Sequence, residues 1–563
     1  MQPVRMMKMS NWKKKAVVYE VYVQSFNDSN GDGIGDLPGL TEKLDYLKNL
    51  GVNTLWLTPI FKSPLVDNGY DIADYEAINP IYGTMADFDE MLKQAHEKDL
   101  KVVMDLVVNH TSDQHKWFQE SKKSKDNPYS DYYIWRDPKA DGSAPTNLGS
   151  AFGGSAWTYV PERKQYYLHL FAKEQPDLNW DNPEMRQAVY KMMRFWLDKG
   201  VDGFRMDSIS FISKPKHFVD TPLEDHKKYG AYYVGNTNGP HIHEYLQEMN
   251  REVLSKYDCI SIGETPHTTA KEADLFVNPD RHELDMVFQF EHMHVDYGEY
   301  GRYSDVTYKM SDLRRSMSSW QNGVSWNSLY LGNHDQPRIV SRFGNDGQYR
   351  KESAKMLATM LILQKGTPFI FEGEEIGMTN LHVKSIDELK DLEAHNNYKF
   401  FLSEGLDAKT SLNMINRKTR DNARTPMQWN DSKNAGFSAG KSWIEVNPNY
   451  QNINVEQDLK AKDSIYKYYQ KLLDLKKNNE VIVDGEYNVI DSDDSDIYAY
   501  TRTTTKGQVL VICSFTANKV KFDLPEEYVG KGKILLSNYD TNLKDLPATI
   551  YLKPYEGIVI QRD

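Results

Sequence analysis

The order of apolar runs along this chain restricts its fold more than any other feature. Residues 16–26, 54–58 and 101–108 are strand-like runs, rich in β-branched and aromatic residues and apolar on both faces. Between the first two, Leu44, Leu47 and Leu50 recur at helical spacing and Gly51 supplies a stop; a second helical pattern covers 86–98. Strand then helix, repeated with strands buried on both faces, describes a parallel sheet covered by helices. The alternation continues with a helix at 183–199 and strands near 203–208, 259–264, 285–290, 327–333 and 367–372. Eight strands in this order predict an α/β fold of the (β/α)8 TIM-barrel type.

The pattern lapses twice and then changes character. Residues 111–182 are rich in Gly, Asn, Ser, Pro and aromatics with no sustained period, too long for a connection, and predict a small inserted domain after the third strand. Residues 376–430, after the eighth strand, read as a polar, irregular insertion, and a helix at 464–477 closes the barrel. Beyond residue 479 come short β runs (497–502, 508–515, 533–537, 558–561) between turn residues, which predict a C-terminal antiparallel β-sandwich. The expected organisation is thus barrel over 1–110, insertion over 111–182, barrel over 183–480 and sandwich over 481–563.

Composition excludes several partners. A net charge of −13 lacks the electrostatic footprint of a nucleic-acid binder. Cys259 and Cys513 lie 254 positions apart in apolar runs, so no disulfide framework or zinc pattern can be built from them. The start, residues 1–15, is basic and has no apolar core of a secretory signal, and no run approaches the ~18 apolar residues of a membrane span. A cytoplasmic protein with no membrane partner is the expectation; oligomeric state is not legible.

Three carboxylates stand where strand-like runs give way to polar residues: Asp207 after Gly203-Phe-Arg-Met, Glu264 after Ile260-Ser-Ile-Gly, and Asp335 after Leu329-Tyr-Leu-Gly-Asn-His. A parallel barrel opens every strand C-terminus on one face, and several acids there suit chemistry that builds and quenches positive charge at carbon, as in glycosidic bond cleavage. Arg205, two residues before Asp207, points to the same side of its strand, and its charge is expected to keep Asp207 ionised.

Asp105-Leu-Val-Val-Asn-His110, Gly203-Phe-Arg-Met-Asp207, Ile262-Gly-Glu264 and Asn333-His-Asp335 resemble, in order and spacing, the signature segments of the α-amylase superfamily, glycoside hydrolase family thirteen. Asp67-Asn-Gly-Tyr-Asp71, Gln175-Pro-Asp-Leu-Asn-Trp180, Gln336-Pro-Arg-Ile-Val-Ser-Arg-Phe343 and Arg420-Asp-Asn-Ala-Arg-Thr-Pro-Met-Gln-Trp429 are similar to its oligo-1,6-glucosidase and α-glucosidase subfamily. The resemblance implies that Asp207 is a nucleophile, Glu264 a general acid/base protonated at the outset, and Asp335 a carboxylate that clamps sugar hydroxyls. It implies retention of anomeric configuration, with small oligosaccharides as substrates and some transfer of glucose to sugar acceptors. Asp67, Tyr70, His110, His334 and Arg420 would hold the non-reducing glucose, with Tyr70 as a stacking platform. An Asp67–Arg420 pair at the closed end of the pocket would make the action exo. Phe152 and Phe171 either wall the pocket or pack in the core of the insertion.

Asp28-Ser-Asn-Gly-Asp-Gly-Ile-Gly-Asp36 places oxygen donors at Asp28, Asn30, Asp32 and Asp36, with the Ile34 carbonyl, at the spacing of a calcium loop. Position twelve is Gly39, so the bidentate Glu of an EF-hand is missing. The loop resembles the structural Ca2+ loop of the same subfamily; the chemistry needs no metal and no organic cofactor.

Linkage preference is read from departures. Relatives that cut α-1,6 bonds tend to carry Val after the nucleophile, whereas this chain has Ser208, which leaves room and a hydroxyl beside the leaving sugar. That reading favours α-1,4 activity on maltose and short maltooligosaccharides, with isomaltose and isomaltooligosaccharides as the alternative. His267 and Glu372 stand where Gly and Gln are more usual, and residues 295–304 lack the Arg-Asp-rich loop of sucrose isomerases. A catalytically inactive scaffold on the same fold remains a remote alternative, which retention of all three acids disfavours.

Overall fold

A computed structural model describes residues 10–223, 228–490, 496–541 and 545–562 of the chain. Residues 1–9 of the basic start lie outside the described residues. Eight strands form one sheet: β1 (Val18–Val21), β2 (Thr54–Leu57), β3 (Lys101–Val107), β4 (Gly203–Asp207), β5 (Ile260–Glu264), β6 (Met286–Phe288), β7 (Ser328–Leu329) and β8 (Thr367–Phe371). Their order is β6-β5-β4-β3-β2-β1-β8-β7. Pairs β3–β4, β4–β5, β5–β6, β1–β8 and β7–β8 are parallel. The fold is the (β/α)8 barrel that the alternation predicts, and the strands are buried along almost their whole length, as their continuous apolar character requires.

The described residues fall into two compact units. One is built mainly of Trp56–His96 and Lys101–Phe290, the other of residues 10–55, 97–100 and 291–562.

In the first unit, register sets the chemistry. Val107 pairs with Asp207, and Gly263 with Met206, so Asp207 and Glu264 end neighbouring strands at the same level. Gly203 opens β4 at φ +155°, where a Cβ would run into the backbone of Ile260; only glycine lets β4 and β5 approach there. The helix Pro183–Asp198 starts as its sequence indicates. The Asn182 side chain caps the amides of Glu184 and Met185, Pro183 fills the first turn, and Met185, Val189, Met193 and Trp196 form the buried face. Within 111–182 the irregular texture resolves into a three-stranded antiparallel sheet of Trp135–Arg136, Gln165–Leu168 and Trp157–Val160. Ile134, Leu148, Trp157, Leu168, Leu170 and Phe211 make its core.

The second unit departs from expectation in three places. The apolar run 16–26 forms a strand only to Val21; Val23–Phe26 turns into one helical turn, because an apolar run encodes burial and not backbone conformation. The stretch 376–430 is not irregular: it carries helices Leu392–Ser403, Ala408–Lys418 and Asp421–Arg424, around a core that includes Leu381, Phe401, Met414 and Ile415. Its polar residues cap and pair, which hides the helical period.

The C-terminal part is an antiparallel two-sheet domain. It has a five-stranded sheet and a two-stranded one, made from β9 (Glu486–Ile490), β10 (Ile497–Thr504), β11 (Gly507–Ser514), β12 (Val520–Asp523), β13 (Lys533–Ser537), β14 (Thr549–Leu552) and β15 (Gly557–Arg562). Leu510, Ile512 and Ile560 pack against Phe522, Ile550 and Leu552 between the sheets. The sequence reading misses β9, β12 and β14, which run for only 5, 4 and 4 residues. Among the described residues, no helix is long and apolar enough to cross a membrane.

Candidate active site

Arg205 organises the first unit. Its side chain is 1 % exposed, and Nη1 donates to Asp105 Oδ1 (3.0 Å) and Asp207 Oδ1 (2.9 Å), while Nη2 meets Glu264 Oε1 at 2.7 Å. Burial acts against the guanidinium's charge, but Asp105, Glu264 and Asp207 keep it protonated. The indole of Trp56 lies 5.1 Å below it. Burial also raises Asp207, more than Arg205 lowers it, and leaves its pKa at about 6. The expectation that Arg205 keeps Asp207 ionised therefore omitted the larger, opposing effect of desolvation.

Glu264 is gripped from a second side. The Ser208 amide donates to Glu264 Oε2 at 2.8 Å, and the Ser208 hydroxyl lies 3.4 Å from the same oxygen. To present that amide, Ser208 adopts φ +46° and ψ +34°, a left-handed conformation that costs a non-glycine residue ~1–2 kcal/mol. Ser208 is thus turned towards Glu264, and not left as an open gap.

The expected sugar-binding residues of this unit are tied together. Tyr70 Oη donates to Asp105 Oδ2 (2.9 Å), and the same oxygen accepts from Trp56 Nε1 (3.2 Å). Gln175 is fully buried; the Ala172 amide fixes its oxygen (3.0 Å), and its Nε2 donates to Asp67 Oδ2 (3.1 Å) and the Tyr70 carbonyl (3.3 Å). His110 Nε2 lies 3.1 Å from that carbonyl and 3.2 Å from Gln175 Nε2, and burial lowers the His110 pKa. Phe171 stands 5.2 Å from His110 and 5.9 Å from Phe152, and also packs on the core of the insertion. Asp105 and Gln175 were not assigned from the sequence, although both lie in segments that carried the family resemblance. Past Glu264, His267 takes φ +60°, stacks on Tyr233 (4.0 Å) and reaches Tyr232 Oη at 3.2 Å. Glycine suits that backbone best, which is why a histidine there is a departure.

In the second unit, Asp335 accepts from Arg424 Nη2 (2.6 Å) and lies 3.5 Å from both Arg420 Nη1 and His334 Nε2. Burial raises its pKa, but His334, Arg420, Arg424 and Arg302 hold it well below the usual carboxylate range. His334 Nδ1 is 2.6 Å from Glu20 Oε1, and its ring stacks on Tyr22. Arg420 is oriented by Asp391, whose Oδ1 accepts from Nη2 (2.8 Å) and Nε (3.0 Å). Asp391 caps the helix Leu392–Ser403, in the stretch read as irregular, so no local signal marked it.

The oxygen-only donor set of the 28–36 loop suits a hard cation. Asp28 accepts from the amides of Asn30, Gly31 and Gly33, Asn30 from Asp32, and Asp32 from Ile34, a run of tight Asx turns. Asp36 also caps the helix Leu37–Glu42 and accepts from Ser29. Among the described residues, no group of three or more His, Cys, Asp or Glu is gathered for a metal ion.

An alpha-amylase catalytic-domain family matches residues 20–485, and the C-terminal domain of the α-amylase SusG matches 497–559. The chain is 55 % identical to an oligo-1,6-glucosidase of Parageobacillus thermoglucosidasius, over 97 % of this chain and 98 % of that protein. It is 53 % identical to an oligo-1,6-glucosidase of Bacillus cereus, over 98 % and 99 %. A crystal structure of Bacillus licheniformis trehalose-6-phosphate hydrolase superposes with a TM-score of 0.92 at 47 % identity, covering 98 % of this chain and 99 % of that one. These names overturn the α-1,4 preference read from Ser208. Ser208 is engaged with Glu264 through its amide and hydroxyl, so its side chain is not simply free space beside the leaving sugar. The barrel, the carboxylates gathered on Arg205 and the match over most of its length make this chain a glycoside hydrolase of the α-amylase family.

Proposed function

We propose that this chain is a retaining, exo-acting oligo-1,6-glucosidase that releases glucose from the non-reducing end of isomaltose and short isomaltooligosaccharides. Asp207 attacks the anomeric carbon while Glu264 gives its proton to the glycosidic oxygen, so the C–O bond breaks and a glucosyl ester of Asp207 forms. Glu264, now ionised, takes a proton from water, which attacks the same carbon and frees Asp207. A sugar hydroxyl in place of water gives transfer. Asp335, His334, Asp67, Arg420, His110 and Tyr70 bind the terminal glucose in this reading.

The observation that carries the proposal is the single Arg205 guanidinium bonded to Asp207 (2.9 Å) and Glu264 (2.7 Å). Two carboxyl groups on one fork favour the ~5–5.5 Å spacing of a retaining pair over the ~6.5–9.5 Å gap that holds a water in inverting enzymes. The 53–55 % identical relatives named oligo-1,6-glucosidases support this linkage. The buried Cys259 and Cys513 donate their thiols to the Leu254 and Met356 carbonyls, which agrees with residence in the cytoplasm.

The test is an NMR product assay with isomaltose, maltose, sucrose and trehalose 6-phosphate at equal concentration. Isomaltose should be cleaved fastest, with α-glucose appearing first. Initial β-glucose would refute the retaining mechanism, and faster cleavage of another sugar would refute the substrate.

A further inference from the structure

Lys214, seven residues beyond Asp207, has no role in the reaction described above, yet its side chain is only 5 % exposed. Its Nζ faces three oxygens: Asn109 Oδ1 (2.6 Å), Asp177 Oδ2 (2.7 Å) and the Phe211 carbonyl (2.5 Å). An ammonium has three hydrogens and accepts nothing, so each of the three neighbours must present an acceptor. The Asn109 atom towards Lys214 is therefore its oxygen, and its NH2 group points the other way. There Asn109 Nδ2 lies 3.1 Å from His110 Nδ1 and 3.4 Å from Asp177 Oδ2. A donating amide leaves His110 Nδ1 only the role of acceptor. The ring proton of a neutral His110 must then sit on Nε2, the nitrogen on the Tyr70 and Gln175 side.

Gln175 does not compete for that role. Its oxygen is committed to the Ala172 amide, and its two amide hydrogens have Asp67 and the Tyr70 carbonyl as acceptors. The backbone supports the same arrangement: His110 bridges Asp177, and the Leu178 amide donates to the Asn109 carbonyl at 2.9 Å. Lys214 thus links the insertion (Asp177), the end of β3 (Asn109) and the turn after β4 (Phe211) through one nitrogen.

We propose that Lys214 is a positioning residue: by occupying the oxygen of Asn109 it fixes His110 as the Nε2–H tautomer, a constant donor that faces the Tyr70 carbonyl and that a substrate hydroxyl shares. The proposal rests on the assignment of His110 to the terminal glucose. A hydroxyl both donates and accepts, so a ring free to switch tautomers would lose part of its binding selectivity; a fixed donor does not.

The experiment compares the full-length protein with Lys214→Met and Asn109→Asp. The second variant keeps an acceptor for Lys214 but offers only oxygens to His110 Nδ1, which must then carry the proton. Spectra of 15N-histidine-labelled protein, with the His110 signals identified by their loss in His110→Gln, should show protonated Nε2 and bare Nδ1 in the parent. The Nδ1–H form should appear in Asn109→Asp, and a mixture in Lys214→Met. KM for isomaltose should rise about tenfold in each variant, the scale of one hydrogen bond, with kcat changed less than about threefold. Nδ1–H in the parent overturns the proposal. So does a rise in KM with the parental tautomer retained in both variants, which would make Lys214 a structural tie only. If Lys214→Met does not fold, Asn109→Asp decides alone. A parent inactive on isomaltose would refute the proposed substrate, while the nitrogen spectra would still judge the tautomer.

Discussion

Ser208 and Glu264 meet at the ends of adjacent strands, the Ser208 amide 2.8 Å from Glu264 Oε2. The acid is therefore held by backbone, and the strained φ of +46° is what aims the amide. Ser208→Gly keeps the amide and removes the strain, so kcat/KM on isomaltose should stay within about threefold of the parent. Ser208→Pro removes the amide and forbids that φ, and should lower kcat/KM by ~10²-fold or more. Parental rates in Ser208→Pro would show that Glu264 does not depend on this bond.

Arg205 is bonded to Asp105, Asp207 and Glu264 together. Arg205→Ala leaves buried carboxylates without that partner, and unfolding experiments should show a loss of ~3–5 kcal/mol. Arg205→Lys keeps the charge but not the fork, so it should recover much of the stability and little of the activity. Equal recovery of both would mean that charge alone matters.

Burial places the Asp207 pKa at about 6, and attack requires the ionised form. The kcat/KM profile should therefore rise with pH through about 6. The stability effect has the opposite sign. The folded state holds this proton more tightly than the unfolded chain, so the contribution is full below the unfolded pKa and is lost as pH rises through about 6. Asp207→Asn should be inactive yet melt at or above the parental temperature at pH 7, with the advantage fading towards pH 4. A lower melting temperature at pH 7 would count against a desolvated Asp207.

Asp28, Asn30, Asp32, the Ile34 carbonyl and Asp36 are proposed to hold a structural Ca2+. Any ion bound only by the folded chain stabilises it by mass action. EGTA should lower the melting temperature by a few degrees and leave the initial rate on isomaltose unchanged, with added Ca2+ restoring stability. No thermal shift would identify the loop as closed by its Asx turns alone.

The barrel was legible because a strand buried on both faces must be apolar along its length, and eight such runs can be counted. The helices of 392–424 were not, because capping residues such as Asp391 and Asp407 and paired charges cover their period. Asp207 and Glu264 were legible for a different reason: a polar residue at the end of a buried strand stands out locally, whatever lies beyond it. The linkage reading from Ser208 fails because it sets that residue's room and hydroxyl beside the leaving sugar, whereas its amide and hydroxyl face Glu264, a partner invisible in one dimension.

What the sequence determined by itself is therefore the order of elements and the side chains that end the strands, both set by short-range pattern and by the alternation of side chains along a strand. Which groups hold those side chains was set by the folded chain. His334 is met by Glu20 from 314 residues earlier, Asn109 by Lys214 from 105 residues later, and Glu264 by an amide 56 residues away. A hydrogen bond depends on distance and direction in space, and those come from strand register and loop path, which no local run of residues encodes.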